Sequence, residues 1–498
     1  MVELPVLPAP RCHMPWQQVV IDAAGMVHPC AYRNNYQNFS ANKPCGDINS
    51  TPLGEIWNSD DFQRLRANMA KGDLEAAGCA NCLAIKQGQE LGLQADQDAD
   101  REDPPTSEYA RNMRLKRQEI ATGATVLQSL PTVVHFTPTH KCNLRCVHCY
   151  QDFTRDLSLT RREAQDEVLA LLPVLDRIVA GGGEPLLLPI WQRFVREMER
   201  SVNPYLEFAA TTNATRISPE MMAGLARFKR LALTVSLDGA TADVFEPIRL
   251  KGKFDEVVAN LDRLRKLVAD HDRADVSITF SVMKANILGL PNLLRFCAGR
   301  QIGYNLLPVV AFPVDQSLRS FNNPTAQMAG WRESIATARR MLDDLFLPVV
   351  PFGEKSRDLY HGHLNALEGL IPWEKLDVVH HRVARPVPPA VLQMYKPERL
   401  AGELFVGFLP IRNGAVGGCE YYAPVVNRRF EVWLPTGEYL AVLTPRNLNP
   451  TPDMRCRWHI RVGSHGEFRQ SGAPVRTRTI WMIKKWGKRV LKSAGRTW

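Results

Sequence analysis

Between Thr132 and about Pro313 the chain alternates six short β-branched or apolar runs with amphipathic stretches, and no other feature restricts its fold as much. The runs fall at 133–136, 177–180, 206–211, 231–237, 276–282 and 304–310, and the stretches of helical spacing at 161–172, 188–201, 219–227, 254–267 and 288–297. Strands joined in turn through helices lie parallel with right-handed crossovers. The expected class is therefore α/β, a wound sheet or a partial (β/α)6 TIM-type barrel, and a barrel would carry functional loops at the C-terminal ends of its strands.

The rest of the 498 residues divides around this core, which is assigned to residues 131–313. Residues 1–86 form a small loop-rich module with one helix, announced by Ser59-Asp60-Asp61 and the apolar positions Phe62, Leu65 and Met69. Residues 87–130 read as a linker ending in a polar helix, and 314–375 as a helical connection begun by a helix at 326–345. Residues 376–470 read as a β-rich accessory domain with runs at 404–409, 430–434 and 439–443, Pro435-Thr436-Gly437 turning a hairpin.

Residues 471–498 are a basic tail. Of the formal net charge of +10, eight positive charges lie between Gly472 and Trp498, which leaves +2 for the body and no reason to expect a nucleic-acid partner. The tail alternates Ile480, Ile483, Trp486, Val490 and Leu491 with lysines and arginines, as in a helix that docks on the body or touches an anionic membrane surface. A composition of 45% hydrophobic and 23% charged residues is globular. With no apolar run near the ~18 residues of a membrane span and no export signal in residues 1–16, a cytoplasmic protein is expected.

Eleven cysteines in such a chain read as metal ligands or reduced thiols. Cys142, Cys146 and Cys149 share one loop after the first core strand. Three thiolates so spaced can wrap one face of an iron–sulfur cubane and leave one iron without a protein ligand; the spacing alone also permits a zinc knuckle closed by His140 or His148. Downstream, Gly181-Gly182-Gly183-Glu184-Pro185 follows the second strand, Thr211-Thr212-Asn213 ends the third and Ser236-Leu237-Asp238-Gly239 ends the fourth. Each is ordinary turn chemistry by itself, but together they would converge on one ligand beside the triplet.

In this order the motifs resemble the radical S-adenosylmethionine (SAM) superfamily over residues 131–313. The resemblance implies a 4Fe–4S cluster on Cys142, Cys146 and Cys149, with its open iron chelated by the amino and carboxylate groups of SAM. It implies Gly182, Gly183 and Glu184 on the SAM ammonium, a group with donors only. It further implies Asn213, Ser236 and Asp238 on the ribose or nearby atoms, His148 against the adenine and Arg249 on the SAM carboxylate. Ala214 stands where a glycine often follows the asparagine, and Leu250-Lys251 separates Arg249 from Gly252. The implied activity is reductive cleavage of SAM to a 5′-deoxyadenosyl radical that takes hydrogen from a small-molecule or peptide substrate, fed by an external electron donor such as a flavodoxin or ferredoxin.

Cys12, Cys30 and Cys79-Ala80-Asn81-Cys82 add a distant pair and a Cys-x-x-Cys, four thiolates for a structural zinc or a cluster. With Gly25, Gly46-Asp47-Ile48 and Glu55-Ile56-Trp57-Asn58, the pattern over residues 12–83 resembles the twitch half of the SPASM extension. This implies a second, auxiliary 4Fe–4S cluster on Cys12, Cys30, Cys79 and Cys82, with Cys45 spare, suited to electron transfer or scaffolding. That module generally follows the barrel; here it precedes it, and the linker is long enough to fold it back over the barrel mouth. The expected substrate is a peptide or carbohydrate-like molecule and the outcome redox; the alternative is a non-catalytic binding protein stabilised by its metals. His361, His363, His380 and His381 read as solvated polar residues, Cys297 as core and Cys419 as a strand end.

Overall fold

A computed structural model describes residues 12–31, 44–80, 82, 85, 107–149, 151, 157–159, 161–198, 203–228, 230–269, 274–309, 316–318, 324–349 and 354–370, followed by the strands of the C-terminal region. Up to residue 309 the described strands are β1 (Gln18–Ile21), β2 (Met26–His28), β3 (Gly46–Asp47), β4 (Val133–Phe136), β5 (Arg145–Cys146), β6 (Arg177–Ala180), β7 (Glu207–Thr212), β8 (Arg230–Ser236), β9 (Arg249–Leu250), β10 (Ala274–Val282) and β11 (Gly303–Pro308). Nine of them form one sheet in the order β11-β10-β8-β7-β6-β4-β1-β2-β3, and the short β5 and β9 pair with each other. From β11 through β1 every pairing is parallel. This is the α/β partial TIM-type barrel, its six expected strands each within a few residues of the sequence reading.

The sheet has two unlike faces. Val134, Phe136, Ile178, Phe208, Leu233, Ile278 and Phe280 are buried beneath the helices. The helix Pro189–Met198 lays Trp191 against Phe136 and Phe208, ring centroids 5.8 and 6.0 Å apart, and each such side chain stabilises the packing by about 1.5–3 kcal/mol. On the inner face Ala232, Thr234, Ser277, Thr279 and Asn305 are only partly buried, and Thr211 is exposed in the middle of the sheet. A filled barrel would carry bulky branched side chains at these positions. Among the described residues, small and hydroxyl-bearing side chains give this face a polar lining with room left beside it.

The N-terminal module does not fold over the barrel mouth. Its strand β1 pairs in register with the first core strand, Gln18 opposite Val133 through Ile21 opposite Phe136, so the module adds a seventh parallel strand and an antiparallel hairpin to the barrel's edge. Residues 107–130 are a brace rather than a free linker. Their helix Glu108–Ala121 is capped by Ser107, and its buried Lys116 places Nζ 2.7 Å from Thr132 Oγ1 and 3.6 Å from Asp176, which also accepts from the Tyr109 hydroxyl. The loop beyond it takes hydrogen bonds from the module: Trp16 Nε1 to the Ala124 carbonyl, Trp57 Nε1 to that of Ser129 and Arg66 to that of Thr125, each 2.8 Å. Sequence reading missed this because polar residues on that helix pair inward.

After the barrel come the helices Pro324–Met341 and Glu354–Leu370, with a π-helical turn Leu342–Phe346 after the first. His361 and His363 are not simply solvated: His361 Nε2 lies 3.0 Å from Asp343 Oδ1, and the His363 ring lies tilted to Tyr304 and edge-on to Tyr360. The C-terminal region is β-rich, with β12 (His381–Pro386), β13 (Leu404–Arg412), β14 (Ala415–Val416), β15 (Tyr421–Pro424), β16 (Arg429–Leu434), β17 (Gly437–Pro445), β18 (Arg457–Val462) and β19 (Phe468–Ser471). The expected hairpin about Pro435 is not formed. Strand β16 pairs with β12 whereas both edges of β17 are taken by β13 and β18, so the turn passes the chain between two sheets. Cys419, Cys456, His380 and the basic tail lie outside the described residues. Among those described, no helix is long and apolar enough to cross a membrane.

Candidate iron–sulfur and SAM site

The cysteine triplet sits where the barrel geometry expects chemistry, on the loop leaving β4 at its C-terminal end. The loop is held from two sides. On one, Cys146 in β5 pairs with Arg249 in β9, and the Val147 amide donates to the Ile248 carbonyl at 2.9 Å. On the other runs the glycine turn after β6: the amides of Gly181, Gly183 and Glu184 donate to the carbonyls of Phe136, Thr139 and Lys141 at 2.8, 3.2 and 3.1 Å. Only glycine can run this close. A Cβ on Gly183 would stand 2.1 Å from the Lys141 carbonyl oxygen and 2.5 Å from that of His140, and Gly182 has φ +135°.

Glu184 fastens the turn to β7. It is fully buried; Oε1 accepts from Thr212 Oγ1 at 2.6 Å and from the Leu186 amide at 3.2 Å, and Oε2 accepts from the Asn213 amide at 2.6 Å. Burial outweighs these bonds and pushes its carboxyl up to about 7. Asn213 is also engaged: Nδ2 donates to Asn143 Oδ1 at 2.9 Å and lies 3.8 Å from Cys142 Sγ, while Oδ1 accepts from the Thr215 amide and hydroxyl. Ala214 adopts φ +51°, a left-handed conformation that costs a non-glycine residue roughly 1–2 kcal/mol and explains the usual glycine there.

Asp238, Arg249 and His148 come together behind Cys146. Asp238 is completely buried; its Oδ2 lies 2.7 Å from Arg249 Nη2 and 3.3 Å from His148 Nε2, and its Oδ1 accepts from the Ser281 amide at 2.7 Å. The resemblance implied three separate parts of SAM for these positions, and in the structure the three side chains form one charge cluster. Ser236 ends β8 nearly buried, in register with Thr279. Thr212 was read only as part of the strand-end motif Thr211-Thr212-Asn213, and Asn143, Thr215, Ser281 and Asn286 were given no role by sequence reading. Of these four only Asn143, inside the triplet loop, carried a local signal.

The donor set fits a soft, cationic group. Burial raises the thiols of Cys142 and Cys149, and pushes that of Cys146 up to about 11 despite the opposing Arg249, so a metal's charge is what would hold them as thiolates. Arg249 Nε is buried with no partner among the described residues, a donor left for a bound group. In the module, burial pushes Cys12 up to about 12, and Cys30, Cys79 and Cys82 each add to the shift, so all three lie in the neighbourhood of Cys12. Cys45 instead lies against Val27, its amide donating to that carbonyl. Cys12 precedes β1 and Cys30 follows the antiparallel β2, which puts these two at the N-terminal end of the parallel strands, opposite the end from which the triplet's loop leaves.

Residues 136–291 match the family model of the radical SAM superfamily, and residues 12–83 match that of SPASM, an iron–sulfur cluster-binding domain. The barrel is a radical SAM domain. Its radical SAM and SPASM modules make 4Fe–4S clusters and SAM the cofactors of this chain. Among curated relatives, the mycofactocin maturase MftC of Mycobacterium ulcerans is 32% identical over 164 residues, 32% of this chain and 42% of that protein. The AdoMet-dependent heme synthase of Methanosarcina barkeri is 33% identical over 149 residues, 28% and 41% of the two chains. The antilisterial bacteriocin subtilosin biosynthesis protein AlbA of Bacillus subtilis is 22% identical over 258 residues, 49% and 53%. The chain thus spans between two fifths and about half of the length of these relatives. A solved structure of anSMEcpe with bound AdoMet and a Kp18Cys peptide aligns at TM-score 0.34 and 14% identity, over 43% of this chain and 61% of that one.

Proposed function

We propose that this protein is a radical SAM enzyme that removes hydrogen from an uncharged, polar substrate, a peptide segment before a carbohydrate-like molecule, and drains the resulting electron through an auxiliary cluster, an oxidoreductase outcome. The reading rests on one observation: the glycine turn is laced amide by amide against the loop that bears Cys142, Cys146 and Cys149. In this reading those three thiolates hold the catalytic cluster, and the carbonyls of Gly182 and Gly183 with the remaining lone pair of Glu184 Oε2 receive the SAM ammonium. Cys12, Cys30, Cys79 and Cys82 hold the auxiliary cluster. When bound, the catalytic cluster and SAM supply a 5′-deoxyadenosyl radical by reductive cleavage. The chain's own work is to orient SAM on the glycine turn, keep water from the mouth and present the substrate beneath it.

The lumen supports the substrate class. Thr211, Thr234 and Ser277 are neighbours across β7, β8 and β10, and Thr279 and Asn305 form the next rung. Such groups both donate and accept, which suits amides and hydroxyls; phosphates or propionates call for cations. At the floor Arg177 and Arg230 are already paired with Glu207, at 3.0 and 3.6 Å. The proposed location is cytoplasmic, where a reducing donor such as a flavodoxin or ferredoxin is at hand. Anaerobic reconstitution with iron and sulfide, then reduction with dithionite in the presence of SAM, should release 5′-deoxyadenosine. Protein that takes up zinc instead, or binds iron without cleaving SAM, would be the metal-stabilised binding protein.

A further inference from the structure

The charged cluster behind Cys146 goes beyond the role SAM binding would give it. Arg249 is buried in β9 directly opposite Cys146 in β5, and its Nη1 donates toward Cys146 Sγ at 3.8 Å. Its Nη2 is held by Asp238 at 2.7 Å. Asp238 is in turn tied to the end of β10: Oδ1 accepts from Ser281, and its carbonyl accepts from Asn286 Nδ2 at 2.9 Å. Asn286 closes the set by donating to the Ser281 carbonyl at 2.9 Å and accepting from the Met283 amide at 2.8 Å. A rigid path therefore runs from the C-terminal ends of β8 and β10 through one carboxylate and one guanidinium to a single cysteine of the triplet.

We infer that Arg249, fixed by Asp238, is a positioning residue that orients Cys146 and supports the negative charge on its sulfur, so that this pair sets the reduction potential of the triplet's cluster instead of grasping the SAM carboxylate. The inference rests on the proposed function. Hydrogen bonds and charges at a ligand sulfur are what tune iron–sulfur potentials, and a ligand's outer partner fixes its orientation. A guanidinium stabilises the more negative, reduced state; a carboxylate opposes it. His148, on the same Asp238 oxygen, joins the loop's other arm to that anchor.

The test uses the reconstituted full-length protein, with the triplet's cluster recognised as the electron paramagnetic resonance signal that SAM perturbs. Redox titration without SAM should give a more negative potential in Arg249→Gln, partial recovery in Arg249→Lys, and a shift of opposite sign in Asp238→Asn, which keeps the cation and removes its counter-charge. SAM affinity, titrated through the same signal, should change by less than about threefold. Loss of a buried carboxylate–arginine pair would cost far more than about tenfold. Unchanged potentials with a large loss of SAM affinity would make Arg249 a SAM ligand and overturn the inference. If Arg249→Gln takes up no cluster, the Lys and Asn variants decide by the same criteria. A wild-type protein that assembles no SAM-responsive cluster would instead overturn the proposed function.

Discussion

Gly183→Ala is the sharpest perturbation of the site, because what a methyl group would meet there is backbone. The new Cβ would sit 2.1 Å from the Lys141 carbonyl oxygen and 2.3 Å from its carbon, so the glycine turn must withdraw from the cysteine loop by about 1.3 Å or more to regain ordinary contact. Overpacking of this kind costs roughly 1–3 kcal/mol. Withdrawal also breaks the Gly183 and Glu184 amide bonds to Thr139 and Lys141, adding about 0.5–1.5 kcal/mol each. The total of about 2–6 kcal/mol corresponds to a fall in melting temperature of roughly 4–24 °C for a domain of this size. Gly299→Ala is the control: it lies inside the helix Leu290–Arg300 with nothing within 4 Å of its Cβ, and should stabilise by about 0.5–1 kcal/mol. The readouts are calorimetry of the reconstituted protein and titration of SAM against the cluster signal, which Gly183→Ala should weaken strongly and Gly299→Ala should leave alone. A Gly183→Ala protein with normal melting and normal SAM affinity would refute the contact between turn and loop on which the proposed site depends.

Lys116→Met should destabilise by about 3–5 kcal/mol, seen in urea unfolding, because it strips the cation from buried Asp176; adding Asp176→Asn should restore part of the loss. Cys79→Ala should remove the iron and the spectroscopic signal of the auxiliary site while SAM cleavage persists, and Cys45→Ala should keep full iron content; equal losses in both would contradict the grouping of the four thiols. Burial, and secondarily Arg177, lowers His135 to about 4. Between its unfolded value and that figure only the unfolded chain holds the proton, so stability is complete at neutral pH and falls on acidification. Unfolding at pH 7 and pH 5 should differ by up to about 2 kcal/mol more in the wild type than in His135→Phe.

The alternation of short β-branched runs with amphipathic stretches determined the parallel sheet, because burial between helices leaves few other residues acceptable there. Motif order likewise placed the triplet, the glycine turn and the ends of β7 and β8 at one mouth, since in a parallel array every strand exit lies at the same end. Local signals carried no more than that. Whether Asp238, Arg249 and His148 meet SAM or one another depends on side-chain reach across three strand exits, which no spacing encodes. The place of the N-terminal module was equally hidden: β1 is four residues long, and its pairing with β4 across more than a hundred residues is chosen by backbone hydrogen bonding and by a brace whose charges are buried. Composition could not announce the polar inner face either, because threonine and serine on a strand look alike whether they face water or a filled core. Sequence specified which residues could do the chemistry, and the packing of the strand exits decided which of them face one another.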